Sequence, residues 1–330
     1  TFLPFNRETV NPTIEGDYPT AYMWRDILQA DSLLDLLLHF IKRYDESYED
    51  RNTKEMKRRT VVIFPRYHQL RAVHKLRRLV EEEGVGHNYL IQHSAGSGKT
   101  KTMAWLAHQF TNMIDANGAA VFDSIIMVTD RIVLNRNMAE DVVNFETTLG
   151  TVMDIRKRSK TLADALNGKN RIIISTVQKF AYALDYLKHE QQKRYAVIID
   201  EAHTAVGNEA AKDLVTALST QEDLAQIEDY NPDDYESPLD ALMAQQQNYR
   251  KMMKHISYFA FTATPKDKTY ALYGKDGKEA HDLYSMKQAI DEKFILDVTQ
   301  NYVSYKTMFE LIEKDPDKDA EVQFEKKKAL

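Results

Sequence analysis

The residue types that could do chemistry fall into two clusters about a hundred residues apart. The first is residues 88–103, NYLIQHSAGSGKTKTM. Tyr89-Leu90-Ile91 has the length of a short buried strand. A loop of small residues follows (Ser94, Ala95, Gly96, Ser97, Gly98), and Lys99 and Thr100 open an apolar pattern of helical period through Met103, Ala104, Leu106 and Ala107. Glycines at 96 and 98 let the backbone curl so that successive N–H groups face inward, and the helix N-terminus adds partial positive charge. Lys99 can reach the outer phosphates of a nucleotide, and the Thr100 hydroxyl can ligate Mg²⁺. A Gly/Ser turn with a solvated lysine would carry the same letters. His93 also stands where the full phosphate-loop pattern has its first glycine. A second motif has to decide.

That motif is Val197-Ile198-Ile199-Asp200-Glu201-Ala202-His203. Two adjacent carboxylates at the end of an apolar strand are costly without a cation to meet them. Asp200 can hold Mg²⁺ opposite Thr100, and Glu201 can orient and deprotonate an attacking water. The two clusters together read as a site for nucleoside triphosphate hydrolysis, with Mg²⁺ as cofactor.

The elements that must position these groups follow from apolar runs. Apolar strand runs without polar alternation lie within 123–131 (Ile125 to Val128), 171–180, 195–203 and 257–265, so each strand is covered on both faces. Helical patterns separate them at 131–145, 176–187 and 208–218. Strand–helix repetition predicts an α/β fold with a parallel sheet and right-handed crossovers, ligands lying at the carboxyl ends of the strands. Tyr67, Leu70, Val73, Leu76 and Val80 share one face of a helix ahead of the loop. On that helix Gln69 could pair with adenine through its carboxamide or be an ordinary surface residue. Ser32 and Asp35 read as a capping box before an apolar helix, residues 42–60 as a charged, solvated connection, and residues 219–256 as an acidic insertion.

Composition bounds the rest. The chain has 330 residues, a net charge of −6, 43% hydrophobic residues and no cysteine. Disulfides and thiolate metal sites are excluded, a reducing cytoplasm is the expected location, and no run of about 18 apolar residues exists to span a membrane. The start lacks the form of a signal peptide, and with no initiator Met it reads as cut from a longer chain.

The set HSAGSGKT, DEAH at 200–203 and TAT at 262–264 resembles superfamily 2 helicases and translocases. The resemblance implies a P-loop NTPase, a RecA-like sheet sandwiched by helices with an N-terminal helical linker. It makes Gln69 the adenine reader and Ala95 to Thr100 the ATP cradle. Lys99, Asp200, Glu201 and His203 become the hydrolytic set, and Thr262 and Thr264 couple hydrolysis to DNA movement. Asp130, Arg131, Ser175, Thr176 and Gln178 would meet the nucleic-acid backbone.

The phrases YMWRDILQADSLLDLLLHFI, FPRYHQLRAV, AFTATPK and YSMKQAIDEKFILDV, with FLPFN near the start, are similar to the restriction (R) subunit of type I restriction-modification enzymes. That implies a double-stranded DNA translocase working with methyltransferase and specificity subunits. Residues 1–57 would be a linker, 58–275 the first motor lobe and 276–330 the start of the connection to a second. The second-lobe pattern Q-x-x-G-R-x-x-R and a nuclease constellation are both missing from the sequence, so the fragment is expected to bind ATP but hydrolyse it poorly. Another superfamily 2 helicase or repair translocase, or a non-catalytic module that binds ATP for assembly, would share the core motifs.

Overall fold

The computed structural model describes residues 16–18, 20–50, 53–129, 132–145, 152–154, 159–168, 171–184, 193–205, 209–223 and 253–297. The chain enters through π-helical turns at Met23–Ile27 and Leu36–Phe40 that flank helix α1, Ala30–Asp35. The N-cap of α1 is Gln29, without a side-chain cap. Asp35 caps nothing: its carboxylate meets His39 and His74 instead. Residues 42–60, expected to be a solvated connection, are mostly an antiparallel hairpin, β1 (Lys42–Glu49) with β2 (Met56–Ile63). Its charged residues pair across the strands, as Arg59 does with Glu46, while Tyr44 and Ile63 pack against the core of the body.

The body is a seven-stranded sheet, all parallel, in the order β5-β6-β4-β7-β8-β3-β9. Its strands are β3 (Asn88–His93), β4 (Ser124–Thr129), β5 (Val152–Asp154), β6 (Ile172–Thr176), β7 (Tyr195–Ile199), β8 (Ile256–Thr262) and β9 (Asp282–Tyr284). The four central apolar runs are buried at every position in β4, β6, β7 and β8. Alternate residues serve opposite faces. Ile91, Ile125, Ile174 and Ile198 join one core with α2 (Tyr67–Glu83) and α3 (Lys99–Thr111). Leu90, Ile126, Ile173 and Val197 join the other with α5 (Ser159–Asn167), α6 (Lys179–Ala183) and α8 (Glu209–Leu218). Trimming one such residue, Ile198→Ala, leaves a cavity between layers and costs about 2–5 kcal/mol.

Three further helices, α4 (Ile132–Asn144), α7 (Ala202–Ala205) and α9 (Asp267–Tyr273), complete the crossovers. The sequence reading places no element at the short strand β5 or at helix α5, which flank the basic residues Arg156, Lys157 and Arg158. The sheet also runs past residue 275: Asp282–Tyr284 pairs with the phosphate-loop strand, and α10 (Met286–Asp291) follows it. That stretch had been read as the chain leaving the lobe. The N-terminal turns are tied to the body where the buried Trp105 indole donates to the Phe40 carbonyl at 2.8 Å. Most of the acidic insertion, the FLPFN phrase and residues 298–330 lie outside the described residues.

Candidate nucleotide site

Every motif strand is parallel, so β3, β4, β6, β7 and β8 bring their carboxyl ends to one edge of the sheet. The phosphate loop leaves β3 there. Gly96 and Gly98 have φ of 77° and 81°, a region that disfavours side chains. A Cβ on Gly98 would also lie 2.6 Å from the Gln69 amide nitrogen, so the tight loop admits only glycine there. The Ser97 hydroxyl donates back to the Ser94 carbonyl at 2.7 Å, closing the curl. Gly98 is the N-cap of α3, and the first N–H groups of that helix have no intrahelical acceptor. They form a donor set suited to an anion.

Gln69 is buried in the first turn of α2. Its carbonyl oxygen accepts from the Arg66 N–H at 2.8 Å, and its amide donates to the Gly98 carbonyl at 3.0 Å. One amide hydrogen and one lone pair are left over, the minimum for a bidentate base contact.

The acid pair arrives from β7. Asp200 is 6% exposed. Glu201 sits at φ 49°, a left-handed conformation that strains a residue with a side chain, and its N–H donates to an Asp200 carboxylate oxygen at 3.0 Å. One Glu201 carboxylate oxygen lies 3.5 Å from Lys99 Nζ. Loop and acid pair therefore meet, although the sequence separates them by about a hundred residues. Burial, then the charge of Glu201, pushes the Asp200 carboxyl up to about 6, while Lys99 pulls the other way. Such a carboxylate is short of positive charge, and a divalent cation supplies it. Thr100 and Asp200 fit Mg²⁺, a hard cation that takes one or two protein oxygens and completes its shell with phosphate and water.

His203 extends the site to β8. Its Nδ1 lies 2.8 Å from Thr262 Oγ1 and 3.4 Å from a Glu201 carboxylate oxygen. The Thr264 N–H donates to the same Thr262 oxygen at 3.2 Å. The end of β8 is thus wired through one imidazole to the carboxylate beside Lys99. Thr262 is buried, whereas the Thr264 side chain is exposed. Among the residues read as nucleic-acid contacts, Ser175 is buried with its hydroxyl on the Thr176 carbonyl, Thr176 is buried, and Gln178 is exposed. Asp130 and Arg131 lie outside the described residues.

One group went unread in the sequence. His93, at the position of the missing glycine, is buried and donates Nε2–H to Asp282 at 2.8 Å, and Arg71 holds both oxygens of the same carboxylate. Burial lowers the His93 pKa and would raise that of Asp282, but the bonds from His93 and Arg71 outweigh burial and hold Asp282 below the usual carboxylate range. The loop root is therefore fastened to β9 by a hydrogen bond from His93 to a carboxylate that Arg71 also holds. Its only trace in the sequence is a histidine where glycine was expected.

The sequence model of the SWI2/SNF2 ATPase family matches residues 68–329. The putative type I restriction enzyme MjaVIIP endonuclease subunit of Methanocaldococcus jannaschii is 28% identical over 171 residues, covering 47% of this chain and 15% of that protein. The chain thus spans a small part of that relative's length. Among solved structures, the UvsW helicase from bacteriophage T4 aligns with 14% identity and a TM-score of 0.42, covering 78% of this chain and 68% of that one. A nuclease-deletion mutant of the Type ISP restriction-modification enzyme LlaGI, in complex with a DNA substrate mimic, aligns with 17% identity and a TM-score of 0.42, covering 71% of this chain and 21% of that one.

Proposed function

The chain belongs to the SWI2/SNF2 ATPase family, and from that premise we propose that it is the first RecA-like lobe of the ATP-driven motor in a type I restriction enzyme's R subunit. In that setting the motor pulls double-stranded DNA past a cytoplasmic complex with methyltransferase and specificity subunits, and a nuclease domain elsewhere in the full protein cuts. The observation that carries the reading is the 3.5 Å approach of Lys99 Nζ to Glu201 across two distant motifs. The 28% identity to a restriction endonuclease subunit supports the setting.

The residues take these roles. Ala95 to Thr100 cradle the β- and γ-phosphates through backbone N–H groups, with Lys99 neutralising the charge that grows on the outer phosphate. Thr100 and Asp200 would hold Mg²⁺, which would offset the negative charge of the phosphates. Glu201 aligns a water in line with the γ-phosphate and accepts its proton. His203 ties Glu201 to Thr262, so a shift at the end of β8 reaches the group that orients the water. Gln69 sets the preference for adenine. The lobe begins near residue 58 and includes β9 and α10, beyond the expected boundary at 275, with 219–256 as its acidic insertion. Since the second-lobe arginine pattern is missing from the sequence, this chain alone binds ATP and turns it over slowly.

The deciding experiment uses the full-length protein with Glu201→Gln. ATP binding and assembly should persist, while translocation on duplex DNA stops. Undiminished translocation refutes the catalytic role. Stimulation of ATPase activity by RNA as strong as by duplex DNA would move the protein to a different helicase class.

A further inference from the structure

Beneath the phosphate loop lies a layer of buried groups that the hydrolytic scheme does not use. His68 precedes Gln69 and is fully buried. Its Nε2–H donates to the Ser97 carbonyl at 2.9 Å, in the crown of the loop. Nδ1 of the same ring has no partner, and burial pushes the imidazole down to about 3, so the ring is neutral. The ring stacks face to face on Tyr284, with centroids 3.9 Å apart and planes 4° apart.

Tyr284 belongs to β9 and grips the loop a second time, its carbonyl accepting the Ser94 N–H at 2.9 Å. Its hydroxyl donates to Glu292 at 2.8 Å, and Tyr67 donates to the same carboxylate. From the next turn, Ile295 reaches the loop's exposed side: a Cβ on Gly96 would meet its Cγ2 at 3.2 Å. One short segment therefore touches the root and the outer side of the phosphate loop directly, and its crown through the His68 ring stacked on Tyr284.

Resting on the ATP-site reading above, we propose that the segment Asp282–Ile295, acting through the Tyr284–His68 stack, positions the phosphate loop and so sets the lobe's affinity for nucleotide. His68 and Tyr284 are positioning residues, since neither faces the phosphates. A loop whose carbonyls are fixed presents its N–H groups in a ready array, and ordering them does not draw on binding energy. Releasing the Ser97 carbonyl lets that peptide rotate, and the cradle loses register.

The test measures Mg²⁺-dependent binding of a fluorescent ATP analogue to the 330-residue chain, with unfolding midpoints for every variant. His68→Phe keeps the stack and removes the donor. Its Kd should rise about tenfold, the upper range for one hydrogen bond. His68→Gln restores a donor without the ring, so its Kd should fall between wild type and His68→Phe, about threefold above wild type for the lost stack. Phe180→Leu, in the core on the opposite face of the sheet, serves as a stability control and should leave Kd unchanged. If His68→Phe binds like wild type, or weakens binding no more than Phe180→Leu does, the proposal is overturned. Should His68→Phe fail to fold, Glu292→Ala decides: it removes the acceptor of both tyrosines and should raise Kd about threefold, and an unchanged Kd overturns the proposal. Lys99→Ala separates the two levels. Binding that ignores Lys99 removes the ATP-site reading itself, whereas Lys99-dependent binding indifferent to His68 and Glu292 removes only this inference.

Discussion

Replacing Asp200 with Asn should make the nucleotide-free chain more stable. Asp200 is 6% exposed, and burial together with Glu201 raises its carboxyl from 3.8 to about 6. Its proton is therefore held more tightly in the folded state than in the unfolded one. Below the unfolded value both states are protonated and there is no penalty. As pH rises from about 4 to 6 the unfolded chain ionises first, and stability falls. Above that window the full penalty applies: about two units at about 1.4 kcal/mol each, or about 3 kcal/mol. Asn is neutral, has the same shape and keeps an oxygen to accept the Glu201 N–H. In nucleotide-free, Mg²⁺-free buffer at pH 7.5 the variant should therefore melt about 6–12 °C above wild type, taking about 2–4 °C per kcal/mol for a domain of this size. At pH 4 the two should coincide.

Saturating Mg²⁺ and ATP should close that gap. Ligand at about a hundred times Kd adds about 2.7 kcal/mol to wild type, and the variant, lacking the carboxylate for the cation, gains far less. Differential scanning fluorimetry across pH, with and without Mg²⁺–ATP, reads all four states. A variant less stable than wild type at pH 7.5, or a difference that does not shrink towards pH 4, would refute the idea that Asp200 is a strained anion awaiting a cation.

Other expectations follow from single contacts. Gly98→Ala places a methyl group 2.6 Å from the Gln69 amide at a φ of 81°, so nucleotide binding should be lost and the melting point lowered; Gly118→Ala, at a φ of 78° in open space, should cost only about 1 kcal/mol. Thr262→Val keeps the volume but removes the oxygen between His203 and the Thr264 N–H. ATP affinity should hold, while DNA-stimulated turnover in the full-length protein falls at least tenfold; unchanged turnover would show the link to be idle. Trp105→Phe leaves the Phe40 carbonyl without its donor and should cost about 1–3 kcal/mol, with faster hydrogen exchange confined to residues 30–41.

The sheet was legible because its central strands are buried on both faces, and that condition writes unbroken apolar runs such as Ile172–Ile174 and Val197–Ile199 into the chain. The phosphate loop and acid pair were legible because their chemistry tolerates few residue types. Three features were not. The hairpin of β1 and β2 is charged along most of its length and buries only a few apolar side chains such as Tyr44 and Ile63, so its sequence looks like solvated linker. The strand β9 is short, lies at the sheet edge and carries Asp282, whose burial makes sense only once His93 and Arg71 are seen beside it. The stack of His68 on Tyr284 joins residues more than two hundred positions apart, and no local period announces such a contact.

The central claim is that one divalent cation joins the loop at 94–100 to the acid at 200 through a bound triphosphate. The most direct measurement is pulsed electron paramagnetic resonance of Mn²⁺, substituted for Mg²⁺, with ATP on the 330-residue chain. The account expects ³¹P couplings from directly bound phosphates in wild type, loss of the bound signal in Lys99→Ala, and a weakened, altered one in Asp200→Asn. Phosphate-coupled Mn²⁺ that binds with the same affinity and spectrum in all three proteins would place the nucleotide elsewhere and contradict it.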